Sequence, residues 1–396
     1  MTTLAGFSVK PDSSGRGWCQ LTRDRAHAYP LYYFTPSMTS DSRYLIHHSE
    51  RSGEVQLYRL DLQTGSSVAL TDGHTADAGW GVWCEWRLRG IYNHLSSLNP
   101  VKREVYYFQN EEIRCTGLDT LANRQVLSLP GRVPIAQTSF SPDGRHFGFI
   151  HADRASLRRE LADYEVRRNM DQFDWMQDHQ TWRNRIPCTI AIIDTATGAY
   201  REVRQLDHYA HHLLFLDNER LLLNHPKNDN GMWTIRLDGS DYRWLRPRDD
   251  HGTICHQVVT SRGIFYETVM RAGEVRRNWL GCYDPVRHTF EEVPLPERLD
   301  GYVHTGFDPT GKFLFFEHHG NTHELLSLHQ PFGTPVLKTL RTLPPYPKHG
   351  QRFHAHPFLT PDRNWLIHTE VIEGFAQICA LDVRDLVDRT DYWNLR

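Results

Sequence analysis

Short apolar runs alternate with turns rich in Asp, Pro and Gly along almost the whole chain, and the alternation has a period. One opening, TSFSPDGRHFGFI at Thr138–Ile150, is echoed at Met38–His48, Leu213–Leu223, Thr305–Phe316 and Pro357–Ile367. Weaker copies open at Leu98–Phe108 and Val258–Tyr266. A middle run ending in Leu-Asp or Ile-Asp follows, Val55–Asp61 in one copy and Thr189–Asp194 in another, and then a Thr-Gly turn. Each unit reads as four short antiparallel strands, and seven units recur at roughly 40 to 60 residues. The pattern predicts an all-β fold, a seven-bladed β-propeller forming a single domain over residues 1–396. A β-sandwich would also show short strands, but not an Asp-containing turn at one fixed place in every period. Trp18–Thr22 precedes the first unit, and we read it as the strand that closes the ring on the last blade, leaving no exposed edge.

One unit is longer than the rest. Apolar residues at Leu157, Leu161, Tyr164 and Met170 fall near helical spacing, with Asp, Glu and Arg on the other faces. This predicts a helical insertion in the third blade at about 154–182, either a surface helix packed on a blade edge or a wall of the active cleft.

Composition narrows the function classes. Lys+Arg 45 against Asp+Glu 48 gives a net charge of −3, which offers no pull toward nucleic acid or an anionic membrane surface. No apolar run approaches the roughly 18 residues of a membrane span. The first residues lack the basic and apolar regions of a secretory leader. Seven cysteines without CxxC spacing fit reduced thiols, and with the missing leader they predict a cytoplasmic protein. The abundant residue is histidine, at 24.

Those histidines keep phase with the repeat. The residue entering the inner strand of a unit is His27 in the first, His211 and His212 in the fourth, His256 in the fifth, His304 in the sixth, and His354 and His356 in the seventh. The inner strands of a propeller line its channel, so five of seven units deliver an imidazole to one mouth. Convergence on a metal or a proton-transfer site explains this better than scattered packing. In Gln351-Arg-Phe-His354-Ala-His356, two imidazoles two residues apart on an extended chain face one space, and a carboxamide oxygen lies just upstream. His47, His48, His318 and His319 sit at second-strand ends and read as packing or solvated residues. Trp80, Trp83 and Trp86 read as blade core or as a sugar-stacking face.

From about Leu21 to Val383 the sequence resembles the oligogalacturonate lyases, seven-bladed propeller enzymes of pectin breakdown. The resemblance rests on the Gln-x-x-His-x-His-Pro motif at Gln351–Pro357, on His304 one blade earlier, and on His256 in the context Thr253-Ile-Cys-His256-Gln. It implies a manganese site of His304, Gln351, His354 and His356, with His256 as the catalytic base. His27, His211 and His225 match further histidines of the family. An arginine that in the family precedes a Met-Trp pair and holds a substrate carboxylate is here Gly231, before Met232-Trp233. Lys227 and Arg154 are the candidate replacements. The expected activity is a lyase cleaving uronate-containing oligosaccharides, an acidic substrate, by β-elimination. A divalent cation would neutralise the uronate carboxylate, and a histidine would take the proton alpha to it. The alternatives are a non-catalytic scaffold propeller, a lyase for a different uronate glycan, or another sugar enzyme using the same metal.

Overall fold

The computed structural model describes residues 4–76, 88–168, 185–224, 231–246, 252–272, 275–299, 302–308, 312–319, 323–346 and 350–387. Their strands make seven antiparallel sheets, taken in chain order as blades one to seven. The first strand of each is Ala28–Pro30, Ser97–Leu98, Arg132–Pro134, His211–Phe215, Gly252–Val259, Tyr302–Phe307 and Phe358–Leu359. The core is a ring of apolar seams between neighbouring blades. Ile46 and Leu57 of blade one meet Val105 and Tyr107 of blade two, and blades two, three and four share one cluster around Phe147, Phe149 and Leu213. Leu222 meets Ile264, Phe265 meets Phe316, Phe315 meets Leu366, and Ile367 meets Leu45 to close the circle. Each blade is apolar on both faces because it packs two neighbours. Second strands are therefore buried throughout, as in Tyr44–Ser49, while outer strands such as Asn123–Ser128 turn to solvent.

The repeated turn has a physical cause. In blade three the Ser141 hydroxyl donates to Asp143 Oδ1 at 2.6 Å, and the same oxygen accepts the Arg145 N–H at 3.0 Å. Blade one repeats this with Thr39, Asp41 and Arg43 at 2.5 and 3.0 Å. Blade seven repeats it with Thr360, Asp362 and Asn364 at 2.6 and 3.2 Å. The carboxylate takes the place of a backbone acceptor and ties the first hairpin of the blade. The following residue is left-handed in each copy: Gly144, Ser42 and Arg363 have φ of 69°, 58° and 57°.

The closing strand is Gly17–Gln20, which pairs with Phe375–Asp382 in the register Trp18 to Leu381, with Lys10–Pro11 outside it. A buried polar network fastens it. Glu370 accepts Trp18 Nε1 at 3.0 Å and Arg341 Nε at 2.6 Å, and lies 2.6 Å from His368 Nε2. Arg341 also reaches Asp12 at 3.0 Å. The single α-helix among the described residues, Arg154–Arg168, follows the strand His146–Asp153. Asp153 caps it by accepting the Ser156 N–H at 2.7 Å, and Leu157 is buried in the seam of blades two to four. The rest of the expected insertion, 169–182, lies outside the described residues, as do Trp80, Trp83 and Trp86. No helix among the described residues is long and apolar enough to cross a membrane.

Candidate metal and base site

Four inner-strand entries carry a histidine in the left-handed region: His94, His212, His256 and His356, at φ of 58°, 52°, 53° and 41°. Such a conformation costs a residue with a Cβ on the order of 1 kcal/mol, and it clusters where function holds it. At His212 and His256 it coincides with a break in strand register, between His211 and Leu214 and between Cys255 and Val258. A bulge interrupts the alternation of side chains and re-aims one of them. Here it leaves His212 and His256 against rings of other blades, Tyr32 and His304. Against these rings lies the segment Tyr32-Tyr33, which follows the first strand of blade one. Tyr33 lies 5.6 Å from the His256 and His304 rings and 5.8 Å from His356. Tyr32 lies 5.8 Å from His212 and 5.5 Å from His356.

Three of the expected metal ligands come together. The His304 ring is 4.7 Å from His354 and 4.4 Å from His356, and the last two are 5.6 Å apart. Imidazoles sharing one ion through bonds of about 2.1 Å hold their centroids roughly 4.5 to 5.5 Å apart, so the spread suits a common ligand. Gln351, the fourth, opens the turn Gln351–Phe353 just before His354 and is buried. Its side-chain oxygen and His356 Nε2 are both shut from solvent without a hydrogen-bond partner. A buried polar atom left bare costs about 1–3 kcal/mol, and a cation held by both residues would relieve that cost. The N₃O donor set fits a divalent ion.

Two buried glutamates orient the imidazoles. Glu317 stands opposite His304 in the register of blade six. One of its oxygens lies 2.6 Å from His354 Nδ1 and accepts the Tyr346 hydroxyl at 2.6 Å. The other accepts the His356 N–H at 3.0 Å and lies 3.4 Å from His304 Nδ1. A carboxylate at Nδ1 keeps the proton there and leaves Nε2 free to bind metal. Glu267 holds the same place in blade five, opposite Cys255. It lies 3.0 Å from His256 Nδ1 and accepts the Thr305 hydroxyl. The His256 ring is 4.8 Å from His304, so the expected base adjoins the expected ligand set. Burial drives the His304 pKa down to about 3, against the pull of Glu317, and holds His356 well below its ordinary value. Burial also pulls on His256, but Cys255 and Glu267 beside it outweigh that and lift it well above the usual range.

The other expected residues are placed less centrally. His27 accepts the Ala376 N–H at 3.1 Å and packs against Phe353, beside the ligand turn but outside the ring cluster. His211 stacks on Tyr209, and its ring centroid is 4.4 Å from that of His212. Arg154 pairs with Glu111 at 3.4 Å, so the structure gives it no partner in the cluster. His225 and Lys227 lie outside the described residues, while Gly231 is buried where the strand Met232–Arg236 begins. His47 and His48 are buried packing residues. Sequence reasoning missed Glu267, Glu317, Tyr33, Tyr346 and His94. The available signal for the glutamates was one carboxylate inside an otherwise apolar strand, as in Phe313-Leu-Phe-Phe-Glu317.

The sequence matches no protein-family model, and no curated protein matches it. Solved structures do resemble it. An oligogalacturonate lyase in complex with manganese has a TM-score of 0.77 at 17% identity, covering 96% of each chain. An oligogalacturonate lyase from Vibrio parahaemolyticus has a TM-score of 0.76 at 17% identity, covering 96% of this chain and 97% of that one. The propeller domain of the trilobed protease of Pyrococcus furiosus has a TM-score of 0.53 at 12% identity, covering 93% and 98%. At these identities the likeness establishes a shared fold, the seven-bladed β-propeller.

Proposed function

We propose that this chain is a metal-dependent lyase that cleaves uronate-containing oligosaccharides by β-elimination. The observation that carries the reading is the adjacency of the His256–Glu267 pair to the donors His304, His354, His356 and Gln351, two of whose atoms are buried and bare. Those four residues would hold a divalent ion, manganese by analogy with the lyase solved in complex with it. Bound there, the ion supplies positive charge that neutralises a uronate carboxylate and favours loss of its alpha proton.

The chain's own residues do the rest. Glu267 holds the His256 Nδ1 proton, so that Nε2, in the deprotonated imidazole, is the nitrogen that accepts the substrate proton. Glu317 fixes the orientation of His304 and His354. Tyr32 and Tyr33 pack against the rings and exclude water. Arg352 sits between the ligands Gln351 and His354, paired with Glu50 at 2.6 Å. Its place in the ligand turn is the ground for assigning it to a substrate carboxylate, in place of the family arginine that stands here as Gly231. The test is turnover of saturated and unsaturated oligogalacturonates with and without manganese, read as the ultraviolet absorbance of the 4,5-unsaturated product. Manganese-dependent growth of that absorbance is expected. Stoichiometric metal with no turnover across uronate oligosaccharides would refute the reading.

A further inference from the structure

Cys255, His256 and Glu267 bring a thiol, an imidazole nitrogen and a carboxylate oxygen within 4.8 Å of one another. In a regular strand Cys255 and His256 would point to opposite faces. The left-handed backbone at His256 and the register break that follows cancel that alternation, and Glu267 stands directly across from Cys255. The nitrogen and carboxylate are 3.0 Å apart. Zinc-like ions bind sulfur at about 2.3 Å and nitrogen or oxygen at about 2.0–2.2 Å, which sets neighbouring ligand atoms roughly 3–4 Å apart. The three groups are therefore close to a coordination set, with protons now lying where an ion would sit.

We infer that Cys255, His256 and Glu267 form a second metal site, selective for soft ions such as zinc and cadmium, beside the hard N₃O site. A thiolate in the donor set favours such ions over manganese or magnesium. Cys255 is the only cysteine among the described residues that is not fully buried. A second cluster with the same three residue types, His368, Glu370 and Cys379, serves as a contrast. There Arg341 and Trp18 already occupy the carboxylate, and the guanidinium would repel a cation.

Binding balances simply. The ion forms bonds to Cys255 Sγ, His256 Nδ1 and a Glu267 oxygen; the thiol proton passes to buffer, and the proton of the neutral imidazole is displaced from Nδ1 to Nε2. The imidazole then carries its remaining proton on Nε2, the nitrogen that must be bare to act as a base. Soft metal would thus silence His256 without touching the ligands of the hard site. That consequence rests on the role proposed for His256, whereas the binding itself does not.

The test needs no substrate. The full-length chain, loaded with manganese, is titrated with cadmium while the ultraviolet thiolate-to-cadmium band and bound manganese are followed. One cadmium per chain with the band, manganese retained, and at least a tenfold loss of cadmium affinity in Cys255→Ser are expected. Absence of the band, or an undiminished band in Cys255→Ser, overturns the site. A measurement on the unaltered chain covers the case of a misfolded variant. Cadmium should slow alkylation of Cys255 by iodoacetamide, mapped by mass spectrometry, and an unchanged rate likewise overturns it.

Discussion

Replacing Glu317 by Gln perturbs the metal site without touching a ligand. The carboxylate serves His354 Nδ1 and the Tyr346 hydroxyl with one oxygen, and the His356 N–H with the other, which also lies 3.4 Å from His304 Nδ1. A glutamine keeps the volume and one acceptor oxygen but turns an NH₂ toward the other side. Whichever way it lies, that NH₂ faces an N–H, so an imidazole must turn or change tautomer. Loss of such an outer carboxylate costs roughly 10- to 100-fold in metal affinity, or about 1.4–2.8 kcal/mol. Stranded donors in a fully buried place cost stability as well, about 1–3 kcal/mol each, so melting by circular dichroism must first establish that the variant is folded at the assay temperature. Free manganese measured by electron paramagnetic resonance then gives the dissociation constant. A folded Glu317→Gln protein binding manganese within twofold of the unaltered chain would refute the claim that this carboxylate positions the ligands.

Other consequences follow from the same geometry. His256→Ala should lower kcat by roughly 10²- to 10⁴-fold, the usual worth of a positioned base, with the manganese dissociation constant unchanged; weakened metal binding would move His256 into the ligand set. His354→Ala should lose manganese itself, as metal analysis after dialysis would reveal, and full retention would exclude it as a ligand. Arg352→Ala should raise KM for uronate oligosaccharides and leave kcat and metal content near those of the unaltered chain; an unchanged KM removes Arg352 from substrate binding. Glu370 makes stability fall in acid. Burial pushes its pKa up, but hydrogen bonds and charge from His368 and Arg341 outweigh this and hold it at about 2 against an ordinary 4.5. A depressed folded value gives stability that is complete above 4.5 and lost as pH falls toward 2, roughly 3 kcal/mol in all. Glu370→Gln should therefore show a flatter decline in melting temperature between pH 5 and pH 3, and a decline as steep as that of the unaltered chain would place the acid sensitivity elsewhere.

The blades were legible in the sequence because their turns are local chemistry. A Ser or Thr two residues before an Asp closes the first hairpin with its own hydroxyl, so the repeat shows even where the strands differ. Gln351, His354 and His356 were legible for the same reason, being near neighbours in the chain. Glu317 was not, because its meaning lies in cross-strand register and in the approach of Tyr346 and His354 from elsewhere. His256 kept the phase of the repeat, but the bulge that follows it was hidden, since no residue type announces a bulge. His27 kept the phase of the repeat, yet it packs on Phe353 and Phe375.

Blades five and six each set a buried glutamate in the second strand beside an imidazole, opposite His304 in one and opposite Cys255, next to His256, in the other, and obtain opposite results. The rings of His256 and His304 are 4.8 Å apart and both are buried, yet one is lifted well above the ordinary histidine range and the other pushed down to about 3. The difference lies in how the carboxylate is shared. Burial lowers His256, but Cys255 beside it raises it most strongly, and Glu267, which meets only this imidazole and the Thr305 hydroxyl, adds to that. Glu317 divides its charge between two imidazoles, a phenol and a backbone N–H, and the ring of His304 is further crowded by His354 and His256. Desolvation therefore wins at His304 and loses at His256. A histidine kept neutral is free to bind metal, whereas the raised His256 is a stronger base that must first shed its Nε2 proton before it can accept one. On the roles proposed above, this partition of charge between two adjacent blades would separate a ligand from a base within a single cluster of rings.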